Sequence, residues 1–394
     1  MTCSGHALSL NLLATYSKRV LAGLLPVRKE IEDLLTDPRV SKSAFVMMRR
    51  YEILLEEQSV ANDDPDIRDK ADRELALLYL IGLFDRPAEA AAIAVLLNKP
   101  IDGLSSTSIK FDRISWPLAV EGLREVKLLL PETVPGEIDA HPLVREYFGE
   151  RLRKAKPDAF KAANLRLYEH YKLRDIPEAF HDPVRYGLLA LAGARGAEAF
   201  QRLLRALMAE QIPAEMQSKL PPALRGIAPA RLQSALADLD DAAFNGALGK
   251  ALPGSVKGME SLFSAIAHGC AAGAHNAAFY EVYFARVTRG NEWHATKKLG
   301  AFGADLSALA HFFEVPFATP SPNLGEADQS LILGEAAFRL RALGRFVEAE
   351  VPFCRSTDAW HIGAGLEQRC YLRRQPVRGA VGDRPGVSCG RCRA

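Results

Sequence analysis

The sequence predicts a mainly α fold: a helical subdomain and a winged helix, followed by antiparallel helical repeats of tetratricopeptide type. Three observations predict it. Apolar residues recur at three- and four-residue spacing through most of the 394 residues, the mark of amphipathic helices. One hairpin-like stretch follows a run of helical segments. A Gly-to-Ala spacing then recurs at near twice the roughly 34-residue period of helical repeats.

The elements follow in order. "HALSLNLLATYSKRV" near the start has helical periodicity. In "SKSAFVMMRRYEILLEE", Phe45, Met48, Tyr51 and Leu55 share one face, and Ser41 or Ser43 can cap the helix. Residues 1–60 are therefore read as a helical subdomain. "ANDDPD" is a polar turn that opens a second unit, residues 61–155. Two apolar helical segments follow, "IRDKADRELALLYLIGLFD" and "AEAAAIAVLL", then a helix at about Ser115–Val126. Short strands at Lys127–Leu130 and Glu137–Ala140 flank a "TVPG" turn. Helices followed by such a ribbon have the order of a winged helix, the ribbon being the wing.

Residues 156–255 read as short Ala/Leu-rich helices, the first opening on Pro157, where a missing N–H costs nothing. Residues 256–354 carry the repeat. Gly273 precedes Ala278 by five residues, and Gly344 precedes Ala349 by the same interval. Small residues there let two antiparallel helices approach closely, and such pairs must stack to bury their apolar faces. In residues 355–394 the periodicity stops; eight Arg, no Lys and six Gly fit a disordered tail or an out-of-frame segment.

Composition narrows the classes. Hydrophobic residues make up 48% and charged residues 25%, ample for a core. A net charge of +2 gives no whole-chain attraction to nucleic acid or membrane. No apolar run approaches the ~20 residues of a spanning helix, and the start lacks a basic n-region and a cleavage site. Six cysteines are too few for a disulfide scaffold, so a reducing cytoplasm is expected.

Two segments carry a functional signal. "GHALSLNLLA" opens a glycine-led helix at Gly5, and "DAHPLVREYF" sets His141 between a strand and a helix. Together they resemble two signatures of the STAND class of signal-transducing NTPases, the NB-ARC and NACHT relatives. In that class a G-x-P-x-A-x segment packs on the adenine side of the nucleotide. A Met-His-Asp motif at the end of the wing places a His on the β-phosphate of ADP. Here Gly5, His6, Ala7 and Leu8 occupy the first motif, with Ala7 where the family has Pro; Ala140, His141 and Pro142 occupy the second, only the His being identical.

The resemblance implies that Gly5, Ala7, Leu8 and His141 face an adenine nucleotide when the upstream NTPase module is present. ADP would hold the switch closed, exchange for ATP would release it, and the repeats would bind a protein or peptide ligand. Nucleotide-dependent oligomerisation is a further implication. No G-x-x-x-x-G-K-[ST] occurs, so the chain by itself is expected to be non-catalytic, without catalytic or metal-binding residues. The P-loop and the acidic metal-binding strand are expected upstream.

Other patterns have plainer readings. "GALGKALPG" at Gly246–Gly254 has the wrong spacing and no Ser or Thr after its Lys. The helix that would enter a DNA groove carries Glu121 and Glu125 against Arg124, too little cationic charge for phosphate. Cys389 and Cys392, with Cys354, Cys370 and His361, make a weak zinc pattern. His268, His275, His294 and His311 read as core or surface residues, and Asp63, Asp64 and Asp66 as a solvated turn. Two other classes stand beside the regulator: a stand-alone helical adaptor that binds proteins, and a winged-helix transcription regulator.

Overall fold

The computed structural model describes residues 11–12, 14–15, 43–61, 63–105 and 115–359, and these are mainly helical. Helix α1 (Ser43–Ala61) buries Met48, Tyr51 and Leu55, with Phe45 packed beside them, as the spacing predicts. Ser43 already lies inside the helix, and Ser41 falls outside the described residues. Helix α2 (Pro65–Ile81) starts where Asp64 accepts the Asp66 N–H at 2.9 Å, with Pro65 in the first position. The Asp63–Asp66 cluster is thus in part a helix cap.

α2 packs against α1, α4 (Ser115–Glu125) and α5 (Pro142–Ala155). Its crossing with α5 is close because Gly82 and Gly149 meet there. A Cβ on either would run into the backbone of the other.

The two strands expected at 127–130 and 137–140 are not regular strands. Lys127 takes a left-handed φ of 62°, which breaks the extended run, and Pro131 has no N–H to continue a ladder. What forms is a minimal ribbon: Leu130 N–H donates to the Asp139 carbonyl at 2.8 Å. Ile138 pairs antiparallel with Ala88, which lies between α2 and α3 (Ala90–Asn98), through bonds of 2.8 and 3.0 Å. Thr15 touches the same region, since its hydroxyl donates to the Val126 carbonyl at 3.2 Å, and Leu12 is fully buried in the shared core.

Helix α6 (Pro157–Leu173) opens on Pro157 and packs on α3 and on α11 (Glu260–Ala271). One apolar core runs from Leu12 through α6 and, beyond a long excursion, from Met259 to Ala349. The excursion holds α7 (Pro183–Arg195), α8 (Ala197–Met208), α9 (Pro229–Leu236) and α10 (Asp241–Ala251). Asp182 and Asp240 cap α7 and α10, and proline occupies the first position of α7 and α9. These helices close over two small cores, one around Leu188, Leu224 and Leu232, the other around Phe180, Tyr186 and Ala247. "GALGKALPG" lies in α10 and the turn after it, with no strand before it, so its Gly-Lys pair forms no phosphate loop.

The last part is built on the recurring Gly and Ala. α11 turns at Gly273 (φ 83°) into a helix over Ala278–Val287, and Ala278 is fully buried. α12 (Phe302–Ala310) leads to a two-strand hairpin, β1 (Phe313–Val315) with β2 (Thr319–Pro320). α13 (Glu326–Ala342) then turns at Gly344 (φ 74°) into α14 (Phe346–Ala359), which packs along α13 and buries Ala349. Both glycines take a conformation that disfavours any side chain, and both alanines sit where the second helix meets its neighbours. α14 carries the helix five residues into the stretch read as a tail; residues 360–394 lie outside the described residues.

Candidate functional site

His141 sits at the joint between the ribbon and α5. Asp139 and Ala140 close the ribbon, and Pro142 takes the first helical position, so His141 is the N-cap. Its Nδ1 accepts the Leu143 N–H at 3.2 Å, and its carbonyl accepts from Val144 at 2.8 Å and Arg145 at 3.2 Å. With Nδ1 used as an acceptor, the proton of a neutral ring resides on Nε2. The half-buried ring stands beside the positive end of a 14-residue helix, the end that favours an anion. Arg145 is held back on the Asp139 carboxylate, which also accepts the Ala140 N–H at 2.8 Å, so the corner is rigid. Gly5, Ala7 and Leu8, the other expected wall, lie outside the described residues.

Beneath this corner, α1, α2 and α5 are tied by one buried carboxylate. Glu52 is fully buried and accepts from Tyr147 Oη at 2.6 Å and Tyr79 Oη at 2.9 Å. It also takes Arg151 Nε at 2.8 Å and Arg49 Nη1 at 2.8 Å. Burial pushes its carboxyl up, but the four hydrogen bonds outweigh burial and hold it below the ordinary range. Burial and the Glu52 charge push both tyrosine hydroxyls up, so they stay protonated donors. Tyr147 and Arg151 lie one turn apart on α5, the helix that His141 caps, so this node fixes the direction of the cap.

A second centre was not visible in the sequence. The helix over Ala278–Val287 is a π-helix: the Thr288 N–H reaches back five residues to the Tyr283 carbonyl at 2.9 Å. Such wide turns gather at functional places. Its polar side chains tie it to several other elements. Glu281 accepts from Tyr168 Oη at 3.0 Å and Lys172 Nζ at 3.2 Å, both on α6. Burial lowers the Lys172 pKa, and Glu281 and Glu169 more than reverse it. Arg286, buried, donates to the carbonyls of Ala251 (2.7 Å) and Lys172 (2.6 Å). The Tyr283 hydroxyl meets Arg339 at 3.3 Å, itself paired with Asp305 and Glu335 in the interior.

The histidines have the plain roles expected of them. His268 Nδ1 bonds Asn164 Oδ1 at 2.8 Å and stacks flat on Tyr171, and burial lowers its pKa to about 4. Burial also lowers His275, His294 and His311. On α4, Arg124 is shared between Glu121 (3.9 Å) and Glu132 (3.4 Å), so this face carries no cationic surplus. Among the described residues, no group of three or more His, Cys, Asp or Glu is placed to hold a metal, and no helix is long and apolar enough to cross a membrane. Cys370, Cys389, Cys392 and His361 lie outside the described residues. No family model matches this chain, and neither the curated proteins nor the solved structures compared with it give a match.

Proposed function

We propose that this chain is the non-catalytic regulatory part of a STAND-type signalling ATPase. It would couple a nucleotide-dependent winged-helix switch to protein-binding helical repeats. The observation that carries the reading is the place of His141, which follows the close of the ribbon and caps α5 through Nδ1 at the positive end of that helix. Two further features support it. The order α2, Ala88, α3, α4, ribbon, with Ile138 returning to Ala88, supports the winged-helix reading. Thr15 reaches the Val126 carbonyl, just ahead of the same ribbon.

In this reading ADP, bound when an upstream NTPase module is present, supplies the negative charge that the His141 corner recognises. Loss of that hydrogen bond frees the winged helix to reorient against the module, a two-state change. The turns at Gly273 and Gly344, with buried Ala278 and Ala349, support tetratricopeptide-like pairs in the output half.

The test uses the reading frame extended upstream. A Walker A motif is expected within about 200 codons, one domain's length. Co-purifying ADP should be retained by the wild type and lost from His141→Ala, with His141→Gln, which keeps an N–H donor, intermediate. Equal retention by all three, or no such motif, would leave the adaptor reading. The neutral face of α4 counts against the transcription-regulator reading.

A further inference from the structure

Most arginines of the described interior are consumed by carboxylates or carbonyls: Arg49 and Arg151 on Glu52, Arg145 on Asp139, Arg286 on carbonyl oxygens, Arg339 on Asp305. Even the surface groove of about 540 Å³ beside α3 and α6 has spent cations. There Arg166 binds the carbonyls of Leu96, Lys99 and Pro100, and Arg174 binds Glu89.

Two arginines are different. Tyr280 and Phe284 lie about one turn apart on the π-helix, their rings edge to face at 6.5 Å. Arg225 lies over the Tyr280 ring at 5.4 Å, and Arg195, the last residue of α7, over the Phe284 ring at 5.8 Å. Both arginines are half-buried. Among the described residues neither forms an ion pair, and Arg195 Nε and Arg225 Nη2 have no hydrogen-bond partner. Arg225 is anchored by its Nε on the Leu220 carbonyl at 2.9 Å. The acid facing the group is Asp328, and the Tyr280 hydroxyl already occupies it at 2.7 and 2.8 Å. Burial pushes the Asp328 carboxyl up, opposed by that hydroxyl and by the charges of Arg225 and Lys219.

The cluster therefore holds Arg195, Arg225 and Lys219 against the one carboxylate of Asp328, which accepts the Tyr280 O–H. The cation–π contacts place both guanidinium groups before any ligand arrives, which lowers the entropy cost of binding. We infer that this arginine–aromatic ladder binds an acidic peptide segment of a partner protein, its carboxylates pairing with Arg195 and Arg225. With its Nε buried, Arg195 would meet a carboxylate through its Nη pair in two hydrogen bonds, while Arg225, its Nε on Leu220 and its Nη2 buried, would offer Nη1 alone. Tyr280 is only 6% exposed and lies under Arg225, so its ring is closed to the base stacking that single-stranded nucleic acid needs. The inference rests on reading the helical half as a protein-binding surface, and it does not need the nucleotide switch.

The test is fluorescence anisotropy on the full chain without nucleotide. The probe is a labelled peptide of alternating Glu and Gly, about ten residues long, enough to follow a groove. Controls are its Gln counterpart and a single-stranded DNA of similar length. Arg195→Gln and Arg225→Gln should each weaken the acidic peptide about tenfold, the loss of one charge-assisted contact. Arg195→Lys and Arg225→Lys, which keep the charge and are gentle on the fold, should weaken it less but measurably, the first by loss of the two-bond fork and the second by loss of the Leu220 anchor that places the charge. Arg153→Gln, on α5, should change nothing. Absence of acidic-peptide binding, equal binding by wild type and all four variants, or equal binding of the Gln peptide would overturn the assignment. DNA binding lost with the same substitutions would also overturn it, in favour of a nucleic-acid ligand. Loss of ADP retention in the extended protein bears on His141 alone, so the two readings fail separately.

Discussion

Glu52→Gln should unfold the amino-terminal half more readily than any surface change there, and its cost can be worked from the geometry. The wild-type carboxylate, fully buried, satisfies four donors: Tyr79, Tyr147, Arg49 and Arg151. Glutamine keeps one acceptor oxygen and turns an N–H₂ toward donors, so at least two of the four lose their partner. A lost neutral bond costs about 1 kcal/mol and a charged one about 1.5–3. Arg49 and Arg151 are 43% and 33% exposed, so water replaces part of their loss and the charged bonds count at the low end. The expected destabilisation is about 3 kcal/mol. Urea unfolding followed by circular dichroism measures it. Tyr147→Phe alone should cost about 1 kcal/mol, and its effect should nearly vanish in the Glu52→Gln background. Because the folded pKa of Glu52 is depressed, its stabilisation is complete above the ordinary carboxylate range and fades as pH falls through the folded value. A Glu52→Gln protein within about 0.5 kcal/mol of wild type would refute the claim that this node ties α1, α2 and α5 together.

Other expectations follow from single observations. His268 has a folded pKa of about 4, below its unfolded value of about 6.5, so the unfolded state takes up the proton first. Stability should fall by about 3 kcal/mol between those two pH values, and His268→Gln should remove this part of the acid limb; superimposable pH profiles would contradict it. Gly149→Ala drives a methyl into the Gly82 backbone and should cost more than about 2 kcal/mol. Gly344→Ala meets no atom within 4 Å and pays only for its φ of 74°, about 1 kcal/mol; thermal unfolding of the pair should keep that order. Arg339→Met leaves Asp305 and Glu335 without their buried cation and should lower the melting temperature more than Arg345→Met, whose partner Glu348 is exposed.

Local signals were legible and long-range ones were not. The stripe Phe45, Met48, Tyr51, Leu55 and the proline start of α6 depend on spacing within one turn, and the structure keeps them. The Gly273–Ala278 and Gly344–Ala349 spacing was visible as a site of close helix approach, while the role of both glycines as left-handed turns came only with the structure. The ribbon was seen only in part, because its partner Ala88 comes from fifty residues upstream. Glu52 looks like one more charge in "RRYEILLEE", and only Tyr147 and Arg151, nearly a hundred residues later, make it a buried node. The π-helix carries its own clue in hindsight: "AFYEVYFARV" mixes Tyr, Glu and Arg into an otherwise apolar helix, with no face left over for solvent. For His141 the sequence located the joint between ribbon and helix, while the tautomer came only with the Leu143 hydrogen bond.

The most direct test of the central reading is a distance. Spin labels on unnatural amino acids at positions 8 and 137 leave the six native cysteines untouched, and pulsed electron resonance reads their separation. Position 8 is four residues from buried Leu12, a reach of at most ~14 Å, and Leu12 belongs to the same apolar core as Leu128, Leu129 and Ile138. If the glycine-led segment and the His141 corner once walled the same nucleotide, the distribution should be narrow and centred below about 30 Å. A broad distribution, or one centred well beyond that, would separate the two walls and end the case for a shared pocket.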